Sequence, residues 1–256
     1  MKAVRFDSVV VRYPQADRNA VDDVSVEIPA GTFTVLLGPS GCGKSTLLRT
    51  VNRLVQPQSG EIYVGGEPIS AQDAIALRRS IGYVIQAVGL FAHMTVAQNI
   101  AVVPTLLQWE RARIDARVEE LLQLVGLDPA RYRGRYPRLL SGGEQQRVGV
   151  ARAIAAQPPV LLMDEPFGAV DAIVRRSLQD EIRRIAGSLQ TTILFVTHDV
   201  DEALRLADRI VVMREGRIEQ HGTPDEILAS PATPYVRELF AIDSELRRYD
   251  ALRSAL

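Results

Sequence analysis

Apolar residues follow changing rhythms along the chain. The first part carries short β-rich runs, Val4 to Val11, Val24 to Ile28, Thr32 to Leu37 and Glu61 to Val64, separated by Gly and Pro turns, and these predict strands. A glycine-rich turn interrupts them at Gly38. From about Ile114 the period lengthens: Ile114, Val118, Leu121, Leu122 and Val125 fall on one helical face, with Gly126 placed to end the helix. This region reads as a helical insertion. After Pro158 and Pro159, the run Val160 to Met163 reads as a buried strand, and Thr192 to Val196 and Arg209 to Met213 as two more, so strand and helix alternate. Glu215-Gly216 between two strand-like runs predicts a tight hairpin. Pro234 to Leu256 reads as one or two amphipathic helices, a pattern that serves core packing, a dimer surface or a membrane contact. No internal repeat is present.

A hydrophobic content of 46% with 24% charged residues fits an ordinary core of one or two domains. Thirty basic residues against 31 acidic leave a net charge of -1, so no global field draws the chain to nucleic acid. The single cysteine, Cys42, excludes an internal disulfide, and MKAVRFDSVV lacks the apolar stretch of a secretory signal; a reducing cytosolic location is the expectation. No apolar run approaches the roughly 18 residues that cross a bilayer. The nearest, Ile100 to Leu107, is short and broken by Pro104, so any membrane role has to come from a partner.

Gly38-Pro39-Ser40-Gly41-Cys42-Gly43-Lys44-Ser45-Thr46 matches the phosphate-loop pattern and lies between a predicted strand and a predicted helix. The glycines let backbone N–H groups and the helix N-terminus surround anionic phosphates, Lys44 reaches the outer ones, and Ser45 is placed to ligate Mg2+. The alternative is a turn that only starts a helix. Cys42 fits best as a small residue filling a tight loop. A second candidate is Val160-Leu-Leu-Met-Asp164-Glu165, which delivers two carboxylates to a strand's carboxyl end. Asp164 would hold the Mg2+ shell and Glu165 would position and deprotonate an attacking water, although Asp164-Glu165-Pro166 is also an ordinary strand-ending turn. Third, Leu140-Ser141-Gly142-Gly143-Glu144-Gln145-Gln146-Arg147 combines a capping box, Ser141 to Glu144, with two glycines that expose backbone amides, which makes either a simple helix start or an anion site.

Leu140 to Gln146 resembles the signature motif of ABC ATPase subunits, and the resemblance extends over residues 2 to 240. It implies a phosphate-loop NTPase core of the ABC type, an α/β fold with an antiparallel β subdomain and an inserted α-helical subdomain. The core with its β subdomain would occupy about 1–85 and 156–222, the helical subdomain about 90–155, and a helical extension 223–256. By this resemblance Ser141, Gly142 and Gly143 clasp the γ-phosphate of ATP bound to a second copy, Tyr13 stacks on adenine, Gln86 reaches Mg2+ or water, His198 contacts the γ-phosphate and Asp171 lies at the subunit interface. Tyr13 also suits strand-end packing, and Asp199 with Glu202 forms a plausible capping box. Three positions depart from the family pattern: Glu144 where many signatures have Gln, Val170 for Leu, and Ala92 for Pro. None removes a catalytic group.

A finer resemblance runs from Gly82 through Val96, Asn99 to Trp109 and Val125 to Pro129: it is similar to the quaternary-amine importers. That resemblance implies uptake of glycine betaine, choline or carnitine through a separate membrane permease fed by a binding protein, with the subunit held at the cytoplasmic face of the membrane. Many members append a pair of CBS domains after the ATPase; with the sequence running to Leu256, none is expected here. Competing readings are the ATPase of another importer, an exporter, a soluble ABC ATPase acting on chromosomes or ribosomes, and a scaffold that binds ATP without hydrolysing it. Glu165 and His198 argue against the scaffold.

Overall fold

A computed structural model describes residues 1–86, 89–167, 172–188 and 191–241. Two sheets organise it. The first is antiparallel, in the order β2-β1-β4-β5, from β1 (Val4–Val11), β2 (Val21–Ile28), β4 (Ser59–Val64) and β5 (Glu67–Pro68). Its strands alternate buried and exposed positions, as expected of a sheet with one face on a core.

The second sheet has the order β10-β9-β3-β8-β7-β6. Its members are β3 (Phe33–Leu37), β6 (Ile81–Val84), β7 (Val160–Asp164), β8 (Thr192–Thr197), β9 (Arg209–Arg214) and β10 (Arg217–Gly222). All neighbours run parallel except β9 and β10, which form an antiparallel hairpin. Its turn places Glu215 at φ 50° and Gly216 at φ 83°, the left-handed pair that a two-residue hairpin requires. In β3, Phe33, Val35 and Leu37 face one hydrophobic core while Leu36 faces the other; Ile193 and Phe195 alternate with Leu194 and Val196 in β8 in the same way. Burial on both faces explains why these strands read as unbroken apolar runs.

α1 (Lys44–Val51) lies in the core beneath the antiparallel sheet through Leu47, Leu48 and Val51. The opposite core is closed by α3 (Val96–Leu106), α4 (Arg111–Leu124), α6 (Gly142–Ile154) and α8 (Val200–Leu206), among others. Short helices α2 (Ala74–Ser80), α5 (Pro129–Tyr132) and α9 (Pro224–Ala229), and the longer α7 (Ala172–Ser188), complete the fold. α3 runs through Pro104, which the sequence pattern treated as a break. Pro104 sits in the last turn, so its ring removes only one late backbone bond, a position where the interior penalty is not incurred in full. Residues 234–241 are helical; the rest of the expected C-terminal helices lies outside the described residues. Among the described residues no helix is long and apolar enough to cross a membrane.

Candidate functional site

Four parallel strands end together at the site. β3 runs into Gly38, whose φ of 156° and position against the Met213 carbonyl and the Cys42 sulfur leave no room for a Cβ. Gly43, at φ 107°, is equally confined by the Ala20 carbonyl, so both turns demand glycine. The loop wraps Lys44, whose Nζ donates to the carbonyls of Gly38 at 2.7 Å and Pro39 at 2.9 Å. Ser45 and Thr46 then open α1, where unpaired amides and the helix dipole favour an anion. Ser40 and Gly41 form the exposed crest of the loop. Cys42 is 4% exposed and burial pushes its thiol up, which removes it from thiolate chemistry and leaves it as loop packing.

At the end of β7, Asp164 is fully buried. Its Oδ1 accepts from the Ser45 hydroxyl at 2.6 Å, and its Oδ2 accepts from the Arg49 guanidinium at 2.9 Å and the Tyr83 hydroxyl at 3.4 Å. The two anchors Arg49 and Tyr83 were missed by sequence reasoning. A signal existed: Arg49 follows Ser45 by four residues, so both polar side chains share one face of α1. The hydroxyl and carboxylate oxygens of Ser45 and Asp164 form a hard donor set that suits a small divalent cation completed by phosphate and water. Among the described residues no group of three or more His, Cys, Asp or Glu could hold a metal alone.

Glu165 has φ 42°, a left-handed conformation unusual for a side-chain-bearing residue, and its N–H donates to the Val196 carbonyl at 3.1 Å. Such strain costs about 1–3 kcal/mol and persists where surrounding bonds enforce it. The turn sets the Glu165 carboxylate between two neighbours: Gln86 donates to Oε2 at 3.3 Å, and His198 Nδ1 lies 3.6 Å from Oε1. Gln86 follows β6 and His198 follows β8, so three adjacent parallel strands supply one acid, one amide and one imidazole. Tyr13 stays exposed rather than packed at a strand end, and its hydroxyl lies 3.2 Å from the Thr46 hydroxyl. It borders an open cavity of about 500 Å3 with Arg12, Asp17 and Gln58.

The family model described as ABC transporter matches residues 21–168, more than half of the chain. The chain belongs to the ABC transporter family. It is 54% identical over 86% of its length to the glycine betaine/carnitine/choline transport ATP-binding protein OpuCA of Bacillus subtilis, covering 58% of that protein. It is also 53% identical to the osmoprotectant import ATP-binding protein OsmV of Salmonella typhimurium over 90% of this chain and 60% of that one. The glycine betaine uptake system ATP-binding protein YehX of Escherichia coli is 53% identical over 93% of this chain and 77% of that one. The chain thus spans 58% and 60% of the length of the first two relatives. Among solved structures, a dimeric ATP-binding cassette in a post-hydrolysis state bound to ADP and Pi superposes with a TM-score of 0.76 at 30% identity, over 86% of this chain and 98% of that one. The ABC-type NTPase fold follows from this likeness together with the two sheets.

The segment that resembles the ABC signature opens α6. Ser141 accepts from the Glu144 N–H at 3.3 Å while the Glu144 carboxylate accepts from the Ser141 N–H at 2.7 Å, a complete capping box. Gly142 is exposed, with nothing near the place of a Cβ. Glu144, the departure from Gln, has a local reason: its other oxygen accepts from the Tyr132 hydroxyl at 2.5 Å. A carboxylate accepts both bonds at once, whereas a glutamine has one acceptor oxygen. The Tyr132 and Ser141 bonds hold the Glu144 carboxyl below the usual carboxylate range. Asp171 and Val170 lie outside the described residues. Asp199 accepts from the Glu202 N–H at 3.1 Å, but the Glu202 carboxylate does not return to the Asp199 amide, so the expected reciprocal box is only half formed.

Proposed function

We propose that this chain binds Mg-ATP between two copies of itself and hydrolyses it to drive uptake of a quaternary-amine osmoprotectant through a separate membrane permease. The observation that carries the reading is the placement of Glu165 between Gln86 and His198, one residue beyond the Ser45–Asp164 pair. Tyr13 offers its ring to adenine, and Gly38 to Thr46 surround the phosphates with N–H groups and the Lys44 ammonium. Mg2+, held by Ser45 and Asp164 with Gln86 at the edge of its shell, would neutralise charge on the phosphate oxygens. Glu165 orients a water and takes its proton at the carboxylate, while His198 steadies the γ-phosphate and Gln86 holds the carboxylate in place. Ser141, Gly142 and Gly143 of the second copy close the site, with Asp171 at the seam.

The names of the relatives support the solute class and the importer assignment. Uptake further requires a substrate-binding protein, and the permease would hold the subunit at the cytoplasmic face of the membrane. Glu165→Gln tests the chemistry: ATP binding is retained while turnover falls by about 10²- to 10⁴-fold, the range for loss of a general base. Unchanged phosphate release would remove Glu165 from that role. Co-purification with an integral membrane partner tests the transport assignment, and uptake of radiolabelled glycine betaine by vesicles containing that complex tests the solute.

A further inference from the structure

Glu202 is a buried carboxylate that the proposed chemistry does not use. It is 5% exposed, and burial pushes its carboxyl above the usual range. Instead of closing a capping box on Asp199, its Oε2 accepts from the Thr197 hydroxyl at 2.6 Å and its Oε1 accepts from the Gln179 amide at 3.1 Å. Thr197 is the last residue of β8 and Gln179 lies in the middle of α7; both are buried. The Thr197 oxygen in turn accepts from the Asp199 N–H at 3.0 Å, so one hydroxyl spans the peptide that carries His198. A second tie reaches the turn after β8 from α7: the Arg175 guanidinium lies 3.6 Å from the Asp199 carboxylate. Glu202 and Thr197 also line a cavity of about 20 Å3 shared with Glu165 and His198.

We propose that Glu202 is a positioning residue for His198, acting through Thr197 and bracing the histidine turn against α7 by way of Gln179. The inference rests on the reading of His198 as the group that meets the γ-phosphate. The physical reason is geometric. His198 follows a strand end whose next amide, Asp199 N–H, would be free to reorient without the Thr197 acceptor, and Thr197 is held in its rotamer by Glu202. Fixing the donor hydroxyl from behind and the helix from the side leaves the turn one orientation, and small misplacements of a catalytic group are expensive in rate.

The test is a double-mutant cycle on the full chain, with kcat, KM and ATP affinity measured for Glu202→Ala, His198→Ala and the pair, and with Glu202→Gln as the conservative variant. Expected is a loss in kcat of about 10- to 100-fold for Glu202→Ala with ATP affinity unchanged, and a smaller loss in Glu202→Gln, whose one acceptor oxygen keeps the Thr197 bond but not the Gln179 bond as well; a Glu202→Gln loss equal to that of Glu202→Ala would overturn the route through Thr197. In the His198→Ala background the same Glu202 substitution should add no further loss, because a residue acting through another has nothing left to position. Additive losses would overturn the relay while leaving His198 in its role. Wild-type turnover in His198→Ala would overturn the reading on which the relay rests. Should Glu202→Ala fail to fold, Thr197→Val and Thr197→Ser decide: the valine variant must lose turnover and the serine variant retain it, and equal activity overturns the relay.

Discussion

Replacing Gly142 by alanine separates folding from function at the signature loop. Gly142 is the first residue of α6, and a Cβ built there meets nothing within 4 Å. The added methyl therefore costs no overlap, and trimming the conformational freedom of the unfolded chain stabilises by about 0.4–1 kcal/mol. For a chain of this size each kcal/mol moves the melting temperature by roughly 2–4 °C, so the variant should melt about 1–4 °C above wild type. Function should move the other way. If Ser141 and the amides of Gly142 and Gly143 close on the phosphate of a second copy, a methyl at that surface holds the anion away by about an ångström, worth about 10²-fold in turnover. Thermal unfolding without nucleotide and steady-state phosphate release, on the same preparation, give both numbers. Wild-type turnover in a normally folded Gly142→Ala protein would refute the assignment, and a large fall in melting temperature would show that the glycine serves the fold.

Gly43→Ala should behave oppositely, because φ 107° and the Ala20 carbonyl leave a Cβ nowhere to go; about 2–4 kcal/mol of strain and overlap should appear as a loss of stability in denaturant titration. Tyr13→Ala should weaken ATP binding by about 1–3 kcal/mol through lost stacking, with Tyr13→Phe close to wild type, measured by calorimetry. Asp164→Asn keeps shape but removes the anionic oxygen that would hold Mg2+ with Ser45, so the Mg2+ concentration for half-maximal turnover should rise sharply in a metal titration. Glu144 has a depressed folded-state pKa, so its stabilising contribution is present above the ordinary carboxylate value of 4.5 and is lost as pH falls below that value through the folded pKa. Acid unfolding curves of wild type and Glu144→Gln should therefore converge at low pH.

What the sequence made legible was what is local. The phosphate loop is one contiguous string, the Ser141–Glu144 box spans three residues, and Asp164 and Glu165 sit at the end of an apolar run whose two buried faces leave little alternative to a central strand. The fold class followed from these, because alternating strands and helices after a phosphate loop admit few architectures. Interactions between segments distant in sequence stayed hidden. Arg49 and Tyr83 reach Asp164 from 115 and 81 residues away; the spacing of Arg49 from Ser45 places it on the same face of α1, but only the fold brings that face, and Tyr83, against Asp164. Glu202 misled for a different reason: its spacing from Asp199 fits a capping box, but the buried carboxylate accepts from the Thr197 hydroxyl and the Gln179 amide, both brought in by packing, while the Asp199 N–H donates to Thr197 instead. Tyr132 likewise explains Glu144 only once α5 and α6 are side by side.

The two-copy grip on one ATP is tested most directly by an electron cryo-microscopy map of the Glu165→Gln protein trapped with Mg-ATP. The account predicts a symmetric dimer with each γ-phosphate within hydrogen-bonding distance, about 2.7–3.2 Å, of the Ser141 loop of one copy and the Lys44 loop of the other. Nucleotide bound at the Lys44 loop with the Ser141 loop of every copy facing solvent would contradict it.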